Sequence, residues 1–117
     1  MPNRLRNNRY AGSDDSRPRG LRDSVPAMER VRRRVIITGR VQNVWYRDSC
    51  RSEAQARGVD GWVRNCSDGS VEAVFEGSPD SVAQMVAWCR VGPPRAHVNG
   101  LDVIPEPVQS EDGFVIC

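Results

Sequence analysis

Apolar positions follow two different spacings along the chain, and the spacing changes several times after residue 30. Runs of β-branched residues and two-residue alternation predict strands, because successive side chains of a strand point to opposite faces. These segments are residues 32–38, 59–66, 71–76, 96–104 and 114–117. Apolar residues three and four apart predict two helices, one over residues 47–57 and one that begins at Pro79 and ends before Gly92. The elements therefore follow the order β-α-β-β-α-β, with a short strand after them.

Residues with special backbone preferences mark the ends of these elements. Gly58 fits the left-handed position that follows a helix, and Asp68-Gly69 has the composition of a tight hairpin. Ser78 is a suitable N-cap for the second helix, with Pro79 at its first position. The inward-facing set shifts across Asn99-Gly100, which predicts a bulge in the fourth strand.

This order of elements predicts the split β-α-β, or ferredoxin-like, α+β fold. We expect an antiparallel sheet of four to five strands with two helices on one face. The third strand presents to the core the apolar set Val71, Ala73 and Phe75. Glu72 and Glu76 lie on its other face, where we expect them, like Asp80, in contact with solvent. None of the acidic pairs has the spacing of a general acid and a general base.

Charge is divided unevenly along the 117 residues, although the formal net charge is only +2. Every basic residue is arginine, and residues 1–34 carry a net charge of +6 against −4 for residues 35–117. Residues 1–30 are polar and show no period, which predicts a disordered Arg-rich extension before one folded domain at residues 31–117. Such an extension can bind nucleic acid or an anionic surface, or it can be inert.

The composition argues against several classes of protein. No apolar run approaches the roughly 20 residues that a membrane-spanning helix needs, and none follows the Arg-rich start as a secretory signal would require. We therefore expect a cytoplasmic protein with no membrane partner. The four cysteines are at least 16 residues apart, which fits neither a zinc site nor a redox pair.

The loop between the first strand and the first helix has the composition of an anion site. It runs Gly39-Arg40-Val41-Gln42-Asn43-Val44-Trp45-Tyr46-Arg47. Backbone N–H groups at such a junction are unpaired, and the helix dipole favours negative charge there. Arg47 at the helix start opposes the dipole, but its planar donors match phosphate or carboxylate oxygens. These features fit an anion site, but the spacing alone leaves open the alternative of a surface arginine beside an ordinary tight loop.

The same loop resembles the first motif of the acylphosphatase family, Gly-x-Val-Gln-Gly-Val-x-Phe/Tyr-Arg. The family's second motif, Gly-Trp-Val-Arg-Asn followed by Asp-Gly, stands here as Gly61-Trp62-Val63-Arg64-Asn65 and Asp68-Gly69. Two motifs in the correct order, on the expected elements, make the resemblance specific. It covers about residues 32–117.

The resemblance implies hydrolysis of the carboxyl–phosphate anhydride of acyl phosphates to a carboxylate and inorganic phosphate, with no cofactor and no metal. The family's catalytic arginine falls on Arg47, and its catalytic asparagine falls on Asn65, which would orient the attacking water. Its phosphate-binding loop falls on Arg40, Val41, Gln42, Asn43, Val44, Trp45 and Tyr46. The implied partners are a small-molecule acyl phosphate and inorganic phosphate, and we expect a monomer.

Asn43 departs from the family motif, which has glycine at this position. If the position needs a positive φ, asparagine is the best tolerated substitute, at a cost on the order of 1 kcal/mol. The departure keeps open a non-catalytic phosphate-binding or regulatory domain on the same scaffold. A further alternative is an RNA-binding module with the same element order. That module stacks bases on aromatic residues of its third strand, whereas this third strand is acidic and has one aromatic residue, Phe75.

Overall fold

The structure is a computed structural model that describes residues 29–117, so the predicted extension at residues 1–30 lies, apart from Glu29 and Arg30, outside the described residues. Its elements are β1 (Val31–Arg40), α1 (Tyr46–Ala56), β2 (Asp60–Asn65), β3 (Val71–Gly77), α2 (Pro79–Cys89), β4 (His97–Glu106) and β5 (Phe114–Ile116). The predicted order and the ferredoxin-like α+β class are confirmed. The first and fourth strands each extend about two residues beyond their predicted ends.

The five strands form one sheet in the order β4-β1-β3-β2-β5. β1 lies antiparallel to both β3 and β4, and Val35 pairs with Ala73 on one side and Val103 on the other. The last strand differs, because β5 runs parallel to β2 and places Ile116 beside Val63. The predicted last strand therefore extends the sheet beyond β2, next to α1.

Both helices pack on one face of the sheet, and the main core lies between them and the strands. The Tyr46 hydroxyl donates a hydrogen bond of 2.8 Å to the carbonyl of Cys89, which joins the start of α1 to the end of α2. The Tyr46 ring also lies 5.3 Å from the ring of Trp88. In the described part of the chain, no helix is long and apolar enough to cross a membrane.

The predicted end signals occupy the positions expected of them. Ser78 Oγ accepts a hydrogen bond from Ser81 N at 3.2 Å, so α2 begins with a side-chain cap. Gly58 has a φ of 68° directly after the last turn of α1. The β1–β4 register shifts so that Thr38 faces Gly100 and Gly39 faces Val98, which leaves Asn99 unpaired as the bulge residue.

Gly39 is required at this bulge by a close approach of two backbones. Its φ is 122°, and a Cβ atom there would lie 2.2 Å from the carbonyl oxygen of His97. A residue with a side chain would push β4 away from β1. Glycine therefore keeps the two strands paired up to Arg40, which lies opposite His97 immediately before the loop.

The prediction that Glu72 and Glu76 lie in solvent is wrong. Glu76 is fully buried and Glu72 is 7% exposed, whereas Asp80 is exposed as predicted. Glu76 accepts hydrogen bonds from Gln109 N at 2.6 Å and Glu111 N at 2.8 Å, because the segment between β4 and β5 crosses this face of the sheet. Two-residue alternation predicts which face a side chain occupies, but it does not predict what covers that face.

Arginines from β1 complete this buried polar layer. Arg32 pairs with Glu76 at 2.9 Å, and Arg34 bonds to Glu72 and Glu106. Charged groups are tolerated in such a place only when they are paired and hydrogen-bonded. Since β3 is buried along its whole length, it offers no exposed surface on which a base could stack. The RNA-binding alternative therefore does not fit the structure.

Candidate active site

The loop between β1 and α1 turns sharply through two residues with left-handed backbone conformations. Asn43 has a φ of 62° and Trp45 a φ of 69°. The position at which the sequence departs from the family motif therefore does need a positive φ, a conformation that asparagine adopts more easily than most residues. Trp45 is 67% exposed, so its side chain projects outward from the loop.

A side-chain amide holds this loop against the β2–β3 hairpin. Gln42 Nε2 donates to the carbonyl of Cys66 at 2.7 Å and to that of Ser70 at 2.9 Å. Val41 and Val44 are buried in the core on either side of Gln42. The loop is therefore fixed both by apolar packing below it and by a polar bridge, the two hydrogen bonds from Gln42 to the β2–β3 hairpin.

The backbone N–H groups of the loop and of the first turn of α1 are available to an anion. From Asn43 to Asp48, none of them donates a hydrogen bond to another of residues 29–117. The N-cap residue of α1, Trp45, supplies no side-chain acceptor, in contrast to Ser78 at the start of α2. Unsatisfied donors at a helix N-terminus, together with the helix dipole, form a binding site for phosphate-like anions.

Arg47 is the second residue of α1 and is half-buried. Its guanidinium group forms neither a hydrogen bond nor an ion pair with any other of residues 29–117. By contrast, Arg51, one turn further along the same helix, pairs with Asp48 at 3.5 Å. An unpaired, half-buried arginine beside free N–H groups has all of its donors open to an anionic ligand.

A cavity of about 630 Å³ opens at this point and brings several parts of the chain together. Its lining consists of Val41, Asn43, Trp45, Tyr46, Arg47, Asp48, Arg95 and Ile116. Five of the residues predicted from the sequence are among them. The predicted residues Arg40, Gln42, Val44 and Asn65 do not line it: Arg40 ends β1, Gln42 is the polar bridge, Val44 is in the core, and Asn65 ends β2.

Asn65 is distinguished by an unpartnered oxygen. Its Oδ1 atom is buried, and among the described residues it is the buried side-chain polar atom that has no hydrogen-bond partner. Such an atom is costly unless it serves a ligand or a water molecule. Asn65 lies two residues after Val63 on the same face of β2, and Val63 pairs with Ile116 of the cavity lining. The oxygen therefore lies at the C-terminal end of β2, just beyond the residue that pairs with Ile116.

Sequence analysis missed three residues of the cavity: Asp48, Arg95 and Ile116. Arg95 follows Gly92-Pro93-Pro94, where the sequence signals only the end of a helix. It enters the site because β4 pairs with β1, a contact between segments far apart in the chain. In residues 29–117, no three His, Cys, Asp or Glu side chains are grouped in a way that could hold a metal ion.

Comparison with known proteins identifies the family of this chain. The family model for acylphosphatase matches residues 33–116. An acylphosphatase from Natronomonas pharaonis is 48% identical over 88 residues, which cover 75% of this chain and 96% of that protein. One from Thiobacillus denitrificans is 60% identical over 67 residues, covering 57% and 75%. A solved structure of an acylphosphatase from Coxiella burnetii superposes with a TM-score of 0.74 at 32% identity, covering 77% and 95%.

Proposed function

Since the chain belongs to the acylphosphatase family, it is an enzyme that hydrolyses acyl phosphates, and we propose that the reaction takes place in the cavity beside Arg47. The observation that carries this proposal is the unpaired guanidinium group of Arg47 next to the free N–H groups of residues 43–48. Together they form a cluster of positively polarised donors that have no acceptor within residues 29–117. A phosphoryl group has three oxygens that can accept these hydrogen bonds.

The loop and Arg47 would hold the phosphoryl group through the whole reaction. Negative charge on the phosphoryl oxygens and on the leaving oxygen shifts as the bond to phosphorus breaks. Donors fixed in advance stabilise that charge without reorganising, because the loop is already held by Gln42 and by the buried Val41 and Val44. The leaving group is a carboxylate, which needs no proton to depart.

Asn65 would position the water. Its side-chain amide carries both an acceptor and a donor, and it would form a hydrogen bond with a water whose oxygen then attacks phosphorus in line with the leaving group. The bond between phosphorus and the acyl oxygen breaks, and the carboxylate leaves with that electron pair. One water proton stays on the new P–OH group, and the other passes to a phosphate oxygen of the substrate. This route needs no protein base, because the substrate itself takes the proton. The amide of Asn65 could not do so, since an amide does not take up a proton near neutral pH.

The proposal is tested by hydrolysis of acetyl phosphate by the wild type and by Arg47→Gln. Loss of a charged partner of phosphate costs about 2–5 kcal/mol, so we expect activity and inhibition by inorganic phosphate to fall together. Arg51→Gln is the matched control, because Arg51 lies on the same helix, is exposed and does not line the cavity. If Arg47→Gln is inhibited by phosphate as strongly as the wild type, Arg47 is not the residue that holds the anion.

The same assay separates the enzyme from a phosphate-sensing domain on the same scaffold. A sensor would bind inorganic phosphate and leave acetyl phosphate intact. The unpartnered Asn65 oxygen favours the enzyme, because a binder of phosphate needs donors and gains nothing from a further acceptor.

A further inference from the structure

Arg95 and Arg40 line a second cavity, and neither has a partner among residues 29–117. Among residues 29–117, the arginines whose guanidinium groups form neither a hydrogen bond nor an ion pair are Arg40, Arg47, Arg90 and Arg95. The remaining arginines of this part are bonded, most of them to glutamate or aspartate. Three of the four unpaired groups line two adjoining cavities on one side of the domain, whereas Arg90 lines neither.

The second cavity has a volume of about 450 Å³ and is lined by Arg40, Arg95, Ala96, His97 and Asn99. Arg95 belongs to both cavities, so it marks the place where they meet. Among residues 29–117, no acidic residue lines the second cavity, although residues 35–117 carry a net charge of −4. Two arginines without a counter-charge give this pocket a positive potential that attracts anions.

The backbone explains why these two arginines lie together. Arg40 ends β1 opposite His97, and Arg95 lies two residues before His97 on the approach to β4. Two residues span at most about 7 Å even when fully extended, which is well within the reach of two arginine side chains. The bulge at Asn99, with Gly39 opposite, sets this pairing. The arginines therefore flank the pocket from neighbouring segments, next to the start of the phosphate loop.

We propose that Arg95, with Arg40, forms a second anion subsite that selects acyl phosphates whose acyl part carries a distal negatively charged group. The inference rests on the proposed function, since it takes the phosphoryl group to bind at Arg47. An acyl chain that leaves that phosphoryl group then reaches Arg95 along the shared wall of the two cavities. A carboxylate or a phosphate ester at the far end of the acyl chain provides oxygens that can accept hydrogen bonds from the two guanidinium groups.

The test compares acetyl phosphate, which has no distal charge, with succinyl phosphate, which has a distal carboxylate, and with an acyl phosphate that has a distal phosphate ester. The quantity measured is the ratio of kcat/KM for each anionic substrate to that for acetyl phosphate. Both arginines are exposed, so each contributes modestly, and we expect Arg95→Gln to lower at least one ratio about fivefold, mainly through KM. Combination with Arg40→Gln should lower that ratio further, and added salt should reduce the wild-type preference.

Arg90→Gln is the matched control, because Arg90 is also exposed and has no partner among residues 29–117, but lies outside both cavities. Its ratios should equal those of the wild type. The subsite is disproved if the wild type does not prefer either anionic substrate, or if Arg95→Gln lowers all kcat/KM values by the same factor. Failure of the proposed site at Arg47 is a different result, since Arg47→Gln would then be inhibited by inorganic phosphate as strongly as the wild type, whatever the substrate ratios.

Discussion

The side-chain amide of Gln42 donates a hydrogen bond of 2.7 Å to the carbonyl of Cys66, the residue that directly follows Asn65. This bond links the predicted phosphate loop to the end of β2, two parts of the site that are 24 residues apart in the sequence. A second bond from the same amide to Ser70 fixes the far side of the hairpin. The position of Asn65 relative to the loop is therefore set by a short polar bridge as well as by the sheet.

The first prediction concerns Asn65→Ala. If Asn65 acts on water in the transition state, kcat should fall about 10²–10³-fold, by analogy with the loss of one well-placed polar group. Inhibition by inorganic phosphate should change little, since the phosphoryl group is held by other residues. The free energy of unfolding should stay the same or rise slightly, because the variant removes a buried oxygen that has no partner. A variant with normal turnover would exclude the water-positioning role.

The second prediction concerns Asn43, whose φ of 62° is left-handed. Asn43→Gly should retain stability and activity, because glycine adopts this conformation without strain. Asn43→Val should lose about 1–3 kcal/mol of stability, since a β-branched residue is strongly disfavoured at positive φ. Denaturant unfolding and acetyl phosphate hydrolysis measure both effects. A large gain of activity in the glycine variant would instead mean that asparagine restricts the site.

The third prediction concerns the pH dependence of stability. Burial raises the pKa of Glu76, but the hydrogen bonds from Gln109 N, Arg32 and Glu111 N outweigh it and hold that pKa below its usual value of 4.5. A lowered pKa in the folded state means that stability is present above pH 4.5 and is lost as the pH falls through the lowered pKa. Acid unfolding should follow this titration.

Glu76→Gln isolates this contribution. The variant should lose about 1–3 kcal/mol near neutral pH, because a neutral amide pairs poorly with Arg32 and two N–H groups, and its stability should depend less on pH below 4.5. Glu53→Gln is the control, since Glu53 forms only a surface pair with Arg57 at 3.2 Å. Equal pH profiles for wild type and Glu76→Gln would contradict the assignment.

The fourth prediction is that the domain folds and works without residues 1–29. β1 begins at Val31, and Arg30 is the outermost residue with a described tertiary contact, an ion pair of 3.1 Å with Asp60. Deletion of residues 1–29 should therefore preserve cooperative unfolding and acetyl phosphate hydrolysis. Deletion of residues 1–30 should lower the free energy of unfolding by about a further 1 kcal/mol, since Arg30 also lies 3.6 Å from buried Glu76. Loss of activity in the shorter deletion would assign the extension a role in the folded enzyme.

Most of the secondary structure could be predicted from the local sequence, because the signals for strands, helices and their ends depend on a few neighbouring residues. Two-residue alternation and helical spacing predicted all seven elements, and Gly58, Ser78 and Asn99-Gly100 correctly marked two helix ends and a bulge. The roles of Arg47 and Asn65 are predicted from their motifs, since each lies within a short segment at the end of one element.

Other features depended on contacts between distant segments, which no local pattern contains. Glu76 was expected in solvent, but the backbone of residues 109–111 covers it and supplies its hydrogen-bond donors. Arg95 reaches the site only because β4 pairs with β1, and Gln42 meets Cys66 only because the hairpin folds against the loop. Spacing along a chain determines which face a side chain occupies. The tertiary fold decides which partner it meets on that face, because every buried charge and every buried donor or acceptor must be paired there.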